Sequence, residues 1–199
     1  KSITCKQTLT INIIQDKLDH IILDAAELNI RSTRVNEQSL QFKILDDKLR
    51  IELPTPTVED ETITLSIDYD TKPRQGFYFV KPDNNYPNKQ VQAWTQGETT
   101  QSKYWFVCFD HPDMKFTSEI IVEVPNEFVV ISNGKLVDVT GTDLVKYHWV
   151  EGHPHPAYLT SIVIGKYKEI KENYNGIDLL YYVPEAQVDK ASLSFSNTM

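Results

Sequence analysis

Along most of this chain, apolar and polar residues take turns. Leu9, Ile11 and Ile13 are interleaved with Thr8, Thr10 and Asn12, and Leu40, Phe42 and Ile44 with Gln41 and Lys43. Leu49, Ile51 and Leu53 alternate with Arg50 and Glu52, and Ile63, Leu65, Ile67 and Tyr69 with Thr62, Thr64, Ser66 and Asp68. Successive side chains of a strand point to opposite faces, so each run predicts a strand with one buried and one wet face. Residues 116–124 continue the pattern, with Ile120, Val122 and Val124 on one face. The β-rich stretch 127–132 runs into Asn133-Gly134, a strong two-residue hairpin signal, and 135–140 is predicted as the returning strand. Residues 144–150, 158–164 and 177–183 are the remaining predicted strands, and the apolar run 104–109 reads as a further, buried one.

No amphipathic helix of ten or more residues is predicted. Prolines fall between the runs, at Pro54 and Pro56, Pro82 and Pro87, and Pro154 and Pro156, where loops and strand ends tolerate them. The segment 81–89 is the most loop-like part of the chain, and there is no internal repeat. Many short strands broken by frequent turn signals point to an all-β sandwich or barrel.

At 199 residues the chain is long enough for one large domain or two small ones. Its formal net charge of -8 argues against nucleic acid and anionic lipid as partners, and no Lys/Arg run is present to track a phosphate backbone. No stretch of 18 apolar residues predicts a membrane-spanning helix, and residues 1–6 carry no apolar signal core. The two cysteines, Cys5 and Cys108, form no disulfide framework. Reduced thiols in the cytoplasm are the default expectation, with a single Cys5–Cys108 bridge left open by the sequence.

The search for chemistry returns little of its own. None of the five histidines, His20, His111, His148, His153 and His155, lies in H-E-x-x-H. The segment 148–153 places its His and Glu on strand-like residues, where helical i, i+4 spacing does not apply. His153-Pro154-His155 offers two ring nitrogens in a Pro-rich stretch and is read as structural or solvated, with no metal expected in these residues. There is no G-x-S-x-G elbow, no phosphate loop, and Cys108 sits in an apolar run where a thiol is inert. The densest stretch is Trp94-Thr95-Gln96-Gly97-Glu98, then 104–110, then His111-Pro112-Asp113-Met114-Lys115. Locally it reads as a polar glycine turn, a core strand and an Asx-type turn.

Taken together, these residues resemble a known family. Thr95-Gln96-Gly97-Glu98, the Trp105-Phe106-x-Cys108-x-Asp110-x-Pro112 pattern, Lys115 and Ser132-Asn133-Gly134 are similar to the amino-terminal domain of aminopeptidase N family enzymes. Ile22-Leu23-Asp24-Ala25 with Leu28-Asn29-Ile30 resembles that domain's early strand pair. Gly76-Phe77-Tyr78 resembles its turn before the loop, and Pro156-Ala157-Tyr158-Leu159 through Gly165-Lys166-Tyr167 its late strand. The likeness runs from about residue 8 to 185, and the joint order of the motifs carries it. One departure is Val107, where the family usually has proline.

The resemblance implies a twisted, saddle-shaped β-sandwich of many antiparallel strands over residues 1–185. Residues 186–199 would start the connection to a catalytic zinc domain that this chain does not contain. An opening strand before residues 8–13 would also be missing, so an excised domain is expected. The implied function is that of a non-catalytic amino-terminal domain of a zinc aminopeptidase removing N-terminal residues from peptides. Gln96 and Glu98 match the family's Gln-x-Glu loop, which implies that they bind the substrate N-terminus. Implied partners are the peptide's N-terminus and the catalytic domain in cis. Zinc would be held by the parent enzyme and not by this chain, which alone would be inactive. Two alternatives resemble the same domain: a leukotriene-hydrolase-like enzyme, which tends to carry Gln where Glu98 stands, and a non-enzymatic scaffold of the transcription-factor-subunit type.

Overall fold

The computed structural model describes residues 2–195. Strands make up 56% of the structure and helices 8%, so the chain is all-β, as the period-two pattern predicts. It divides into two compact units. The first comprises the chain up to Tyr78, Trp94–Ser118 and Glu151–Ser161; the second comprises Phe79–Ala93, Glu119–Val150 and the chain from Ile162 onward.

Seven strands build the first unit's two sheets: β1 (Ile3–Asn12), β2 (His20–Asp24), β3 (Leu28–Val35), β4 (Gln38–Ser39), β5 (Phe42–Leu45), β6 (Lys48–Glu52) and β7 (Thr62–Thr71). One sheet has the order β1-β7-β3-β4, the other β2-β6-β5. β7 is central and antiparallel to both neighbours; Leu65 faces Leu9 on one side and Val35 on the other. Its buried positions are the ones the alternation marks: Ile63, Leu65, Ile67 and Tyr69. With Leu23, Leu49, Ile51 and Val107 they form a core whose members are at most 5% exposed. β1 begins at Ile3, five residues before the predicted start, and pairs with β7 along its whole length.

Later elements are β8 (Phe77–Val80), β9 (Gln92–Thr95), β10 (Lys115–Pro125), β11 (Val129–Ser132), β12 (Lys135–Gly141), β13 (Leu144–Pro156), β14 (Ile162–Gly165), β15 (Tyr167–Tyr174), β16 (Ile177–Pro184) and the short helix α1 (Val188–Phe195). In the second unit β15 and β16 form a regular antiparallel hairpin. α1 is shorter than ten residues and falls in the 186–199 segment, whose last four residues lie outside the described residues.

Three sequence expectations change. Asn133-Gly134 reverses the chain with Gly134 at a φ of 78°, but it does not join paired strands. β11 pairs with β14 and β12 with β13. Burial decides between the partners: Val130 is 1% exposed on β11, whereas every residue of β12 is exposed. Residues 105–108 are buried, Tyr104 is half-buried and Phe109 exposed, and the segment 104–109 forms no strand. They come directly after a 3-10 turn at Ser102–Tyr104 and make one isolated bridge, Asp24 to Cys108. In the predicted strand 158–164, the chain first makes a 3-10 turn at Ala157–Leu159, and only β14 is extended.

Candidate functional site

The polar turn singled out in the sequence leaves the end of β9. The Gln96 N–H donates to the Gly76 carbonyl (2.9 Å) and the Gln101 N–H to the Gly97 carbonyl (2.8 Å), which closes a tight loop over residues 97–101. Both glycines are required by space. A Cβ on Gly97 would stand 2.7 Å from the Tyr158 Cα and carbonyl oxygen and from the Ser102 Oγ, and one on Gly76 would stand 2.0 Å from the Gln101 oxygen. Gly76 also has a φ of 74°, which side chains other than glycine's rarely adopt. Replacing Gly97 by alanine is therefore expected to lower stability by about 1–3 kcal/mol, because backbone has to move. Equilibrium urea unfolding measures this, and a wild-type midpoint would show that the loop is not packed against Tyr158.

Gly97 is buried, while Gln96 and Glu98 on either side are exposed. Among the described residues, neither the Gln96 amide nor the Glu98 carboxylate has a hydrogen-bond or ion-pair partner. That contrasts with the paired acids elsewhere in the unit, such as Glu27 with Arg74 and Asp68 with Ser32 and Arg34. In both of those cases the partner holds the carboxyl below its ordinary range, chiefly through the side-chain hydrogen bond from Arg74 or Ser32. An aromatic pair borders the loop. Tyr78 stacks on Trp94 with ring centroids 4.7 Å apart, and its hydroxyl donates to the Gln101 Oε1 at 3.1 Å.

Residues 102–110, next along the chain, hold the loop in place. The Trp105 and Phe106 N–H groups donate to the Ser102 carbonyl (3.0 and 3.1 Å). Side chains of the sheet satisfy the irregular backbone that comes next, as a buried segment without strand partners demands. The Thr71 hydroxyl donates to the Tyr104 carbonyl (3.2 Å) and the Tyr69 hydroxyl to the Trp105 carbonyl (3.2 Å). The Gln7 amide clamps Val107 from both sides, donating to its carbonyl (2.6 Å) and accepting its N–H (3.0 Å). This gives the valine at that position a use that proline lacks, since proline has no N–H to offer. Cys108 and Asp24 exchange backbone bonds of 3.2 and 2.7 Å. Asp110 is buried; its carboxylate accepts the Lys103 N–H (3.1 Å) and the Ser102 N–H, and its own N–H donates to the Asp24 carboxylate (3.0 Å). Burial pushes the Asp110 carboxyl above the ordinary aspartate range against the pull of those N–H donors.

The remaining candidates do not converge. His153 is 98% exposed and bonds Glu151 through its Nδ1 (2.9 Å). His155 is buried, its Nδ1 donating to the Pro156 carbonyl (3.2 Å) and its Nε2 facing the Ser118 hydroxyl (3.0 Å). Both its ring nitrogens are thus engaged, and among the described residues no group of three or more His, Cys, Asp or Glu side chains is placed to hold a metal ion. These residues do not fit a zinc site. Cys5 and Cys108 are both free, so the bridge that the sequence left open does not form. Burial raises the Cys108 thiol well above its ordinary range, which makes it a poor nucleophile at neutral pH.

The family model of the Peptidase M1 N-terminal domain matches residues 1–159. This chain belongs to that family. Among curated relatives of the M1 domain, the leukotriene A-4 hydrolase of Xenopus laevis is 24% identical over 176 residues, covering 83% of this chain and 29% of the relative. A probable aminopeptidase 2 of Sulfurisphaera tokodaii is 26% identical over 181 residues, covering 88% of this chain and 22% of the relative. The chain therefore spans less than a third of the length of these relatives. Among solved structures, an M1 zinc metallopeptidase variant from Deinococcus radiodurans bound to a Tyr-Ser-Ala substrate superposes with a TM-score of 0.75 at 18% identity. That match covers 95% of this chain and 47% of the other, and at such identity it establishes the fold. Gln96 and Glu98 are thus two exposed, unpaired side chains on a rigidly held loop of an M1 amino-terminal domain. Local pattern did not reveal what holds that loop and the segment after it: Gly76 and the Gln7 clamp act from distant parts of the chain, and Asp110 reaches back to the amides of Ser102 and Lys103.

Proposed function

We propose that this chain is the substrate-recognition domain of a zinc aminopeptidase, with Glu98 binding the free α-ammonium group of the peptide and Gln96 assisting beside it. The observation that carries the reading is the unpartnered Glu98 carboxylate, held on a loop whose backbone is fixed on both sides. An aminopeptidase has to recognise a free amino terminus to avoid cutting within a chain. A carboxylate does this by a charge-assisted hydrogen bond that an internal, neutral amide cannot replace. The zinc and the chemistry it supplies, activation of water for attack on the first peptide bond, would belong to a further domain of the parent protein. Relatives more than three times as long as this chain support that division. Residues 1–185 would be the recognition domain and 186–199 the start of the connection. The two free thiols suit a reducing, cytoplasmic setting. No helix among the described residues is long and apolar enough to cross a membrane.

The leukotriene A-4 hydrolase relative favours a second reading, epoxide hydrolysis by the same architecture. The carboxylate at position 98 favours the amine instead. Hydrolysis of aminoacyl fluorogenic substrates by the full-length parent protein, with and without a zinc chelator, tests the proposal. Chelator-sensitive release of the amino-terminal residue is the expected result. A folded, zinc-supplied parent that turns over no aminoacyl substrate would overturn it.

A further inference from the structure

We propose that Asp110 is a positioning residue for the amine-binding loop, holding Glu98 in its binding geometry through the turn at Ser102–Tyr104. The proposal rests on Glu98 being the amine ligand. The buried Asp110 carboxylate receives the N–H groups of Ser102 and Lys103, the first two residues of that turn. The same turn begins one residue after Gln101, whose N–H closes the loop onto the Gly97 carbonyl. Gly97 is wedged between Ser102 and Tyr158, so a displacement of Ser102 is transmitted to the residue next to Glu98. Asp110 is itself anchored. Its N–H is bonded to the Asp24 carboxylate, which is paired with Lys48 (2.5 Å), and the neighbouring Cys108 is tied to the Asp24 backbone. Lys103 is held further by its ion pair to Asp47 (3.4 Å) and by its carbonyl, which accepts the Ala26 N–H (2.9 Å). Hydrogen bonds from Ser102 and Lys103, followed by the short stretch of chain from Ser102 back to Glu98, therefore link a buried acceptor with an exposed carboxylate that has no partner of its own to hold it.

The experiment uses the full-length enzyme with Asp110→Ala, Asp110→Asn, Glu98→Gln and the double variant Glu98→Gln/Asp110→Asn. Each is measured by kcat and KM on an aminoacyl substrate, and by inhibition with a pair of competitors that differ only in the α-amine. Asp110→Asn keeps the shape of the side chain but leaves one acceptor oxygen for two donors. It is expected to raise KM about three- to tenfold with kcat within about twofold. Affinity for the amine-bearing competitor should fall by the same factor, with the des-amino competitor unchanged. The double variant should match Glu98→Gln alone, because both changes remove one contact. A purely structural role for Asp110 would weaken both competitors together or lower only the yield of folded enzyme. If Asp110→Ala does not fold, Asp110→Asn decides. Wild-type preference for the amine in folded Asp110→Asn, with that preference lost in Glu98→Gln, overturns the positioning role and leaves the reading of Glu98 intact. Preference retained in Glu98→Gln overturns that reading itself.

Discussion

Replacing Leu65 by alanine is expected to destabilise the fold by about 2–5 kcal/mol, the range for a fully buried leucine emptied to a methyl group. Leu65 is 0% exposed and sits on β7, the one strand of its sheet paired on both sides along most of its length. Its neighbours on the same face, Ile63, Ile67 and Tyr69, are also buried, so little is free to collapse into the space. Rigid surroundings push the loss toward the upper part of the range, because the cavity persists. Urea unfolding followed by tryptophan fluorescence should show a lower midpoint with an unchanged slope, the mark of lost stability in an otherwise unaltered transition. Val137→Ala on the exposed strand β12, where the valine is 47% accessible, is the matched control and should shift stability by no more than about 0.5 kcal/mol. A loss below about 1 kcal/mol for Leu65→Ala would remove β7 from the centre of the core.

Leu65 was legible because its strand obeys one rule from end to end. Alternation identifies β1, β6, β7 and β10 because each has one face against a core and one in water. β15 escapes the same rule, since Tyr167 and Ile170 are its only half-buried residues and the rest of the strand is exposed. β8 and β9 are four residues each, too short for a period to show. Residues 104–109 mislead in the other direction. Their apolar density is real and arises from burial, but their backbone is satisfied by Thr71, Tyr69 and Gln7 side chains, which no local pattern can announce.

The candidate site was legible only in part, for a related reason. Local sequence marks Gln96-Gly97-Glu98 as a polar glycine turn, and resemblance to the family singles out its two side chains. The structure adds that Gly97 is there for space and that Glu98 is exposed without a partner. In the sequence Asp110 reads as the last residue of a core strand, next to an Asx-type turn. Its carboxylate instead reaches back to the amides of Ser102 and Lys103, a contact set by the fold of the segment and not by its composition.

In the full-length enzyme, Glu98→Gln is expected to raise KM for free-amine substrates about 10- to 150-fold. Glutamine keeps the size and one acceptor oxygen but loses the charge, so the lost quantity is the charge-assisted part of the contact, about 1.5–3 kcal/mol. The proposed contact would be present in both the bound substrate and the transition state, since the α-ammonium takes no part in bond breaking. Uniform binding of that kind appears in KM, with kcat little changed. The exposed position of Glu98 in this domain would place the effect at the low end of the range if the parent protein left it in water. Enclosure by a further domain would place it at the high end, because a lower local dielectric strengthens the pair. The salt dependence of KM separates the two situations, since added salt weakens an exposed ion pair far more than an enclosed one. Wild-type KM in Glu98→Gln would remove the carboxylate from amine recognition, and with it the basis for proposing peptides over epoxides.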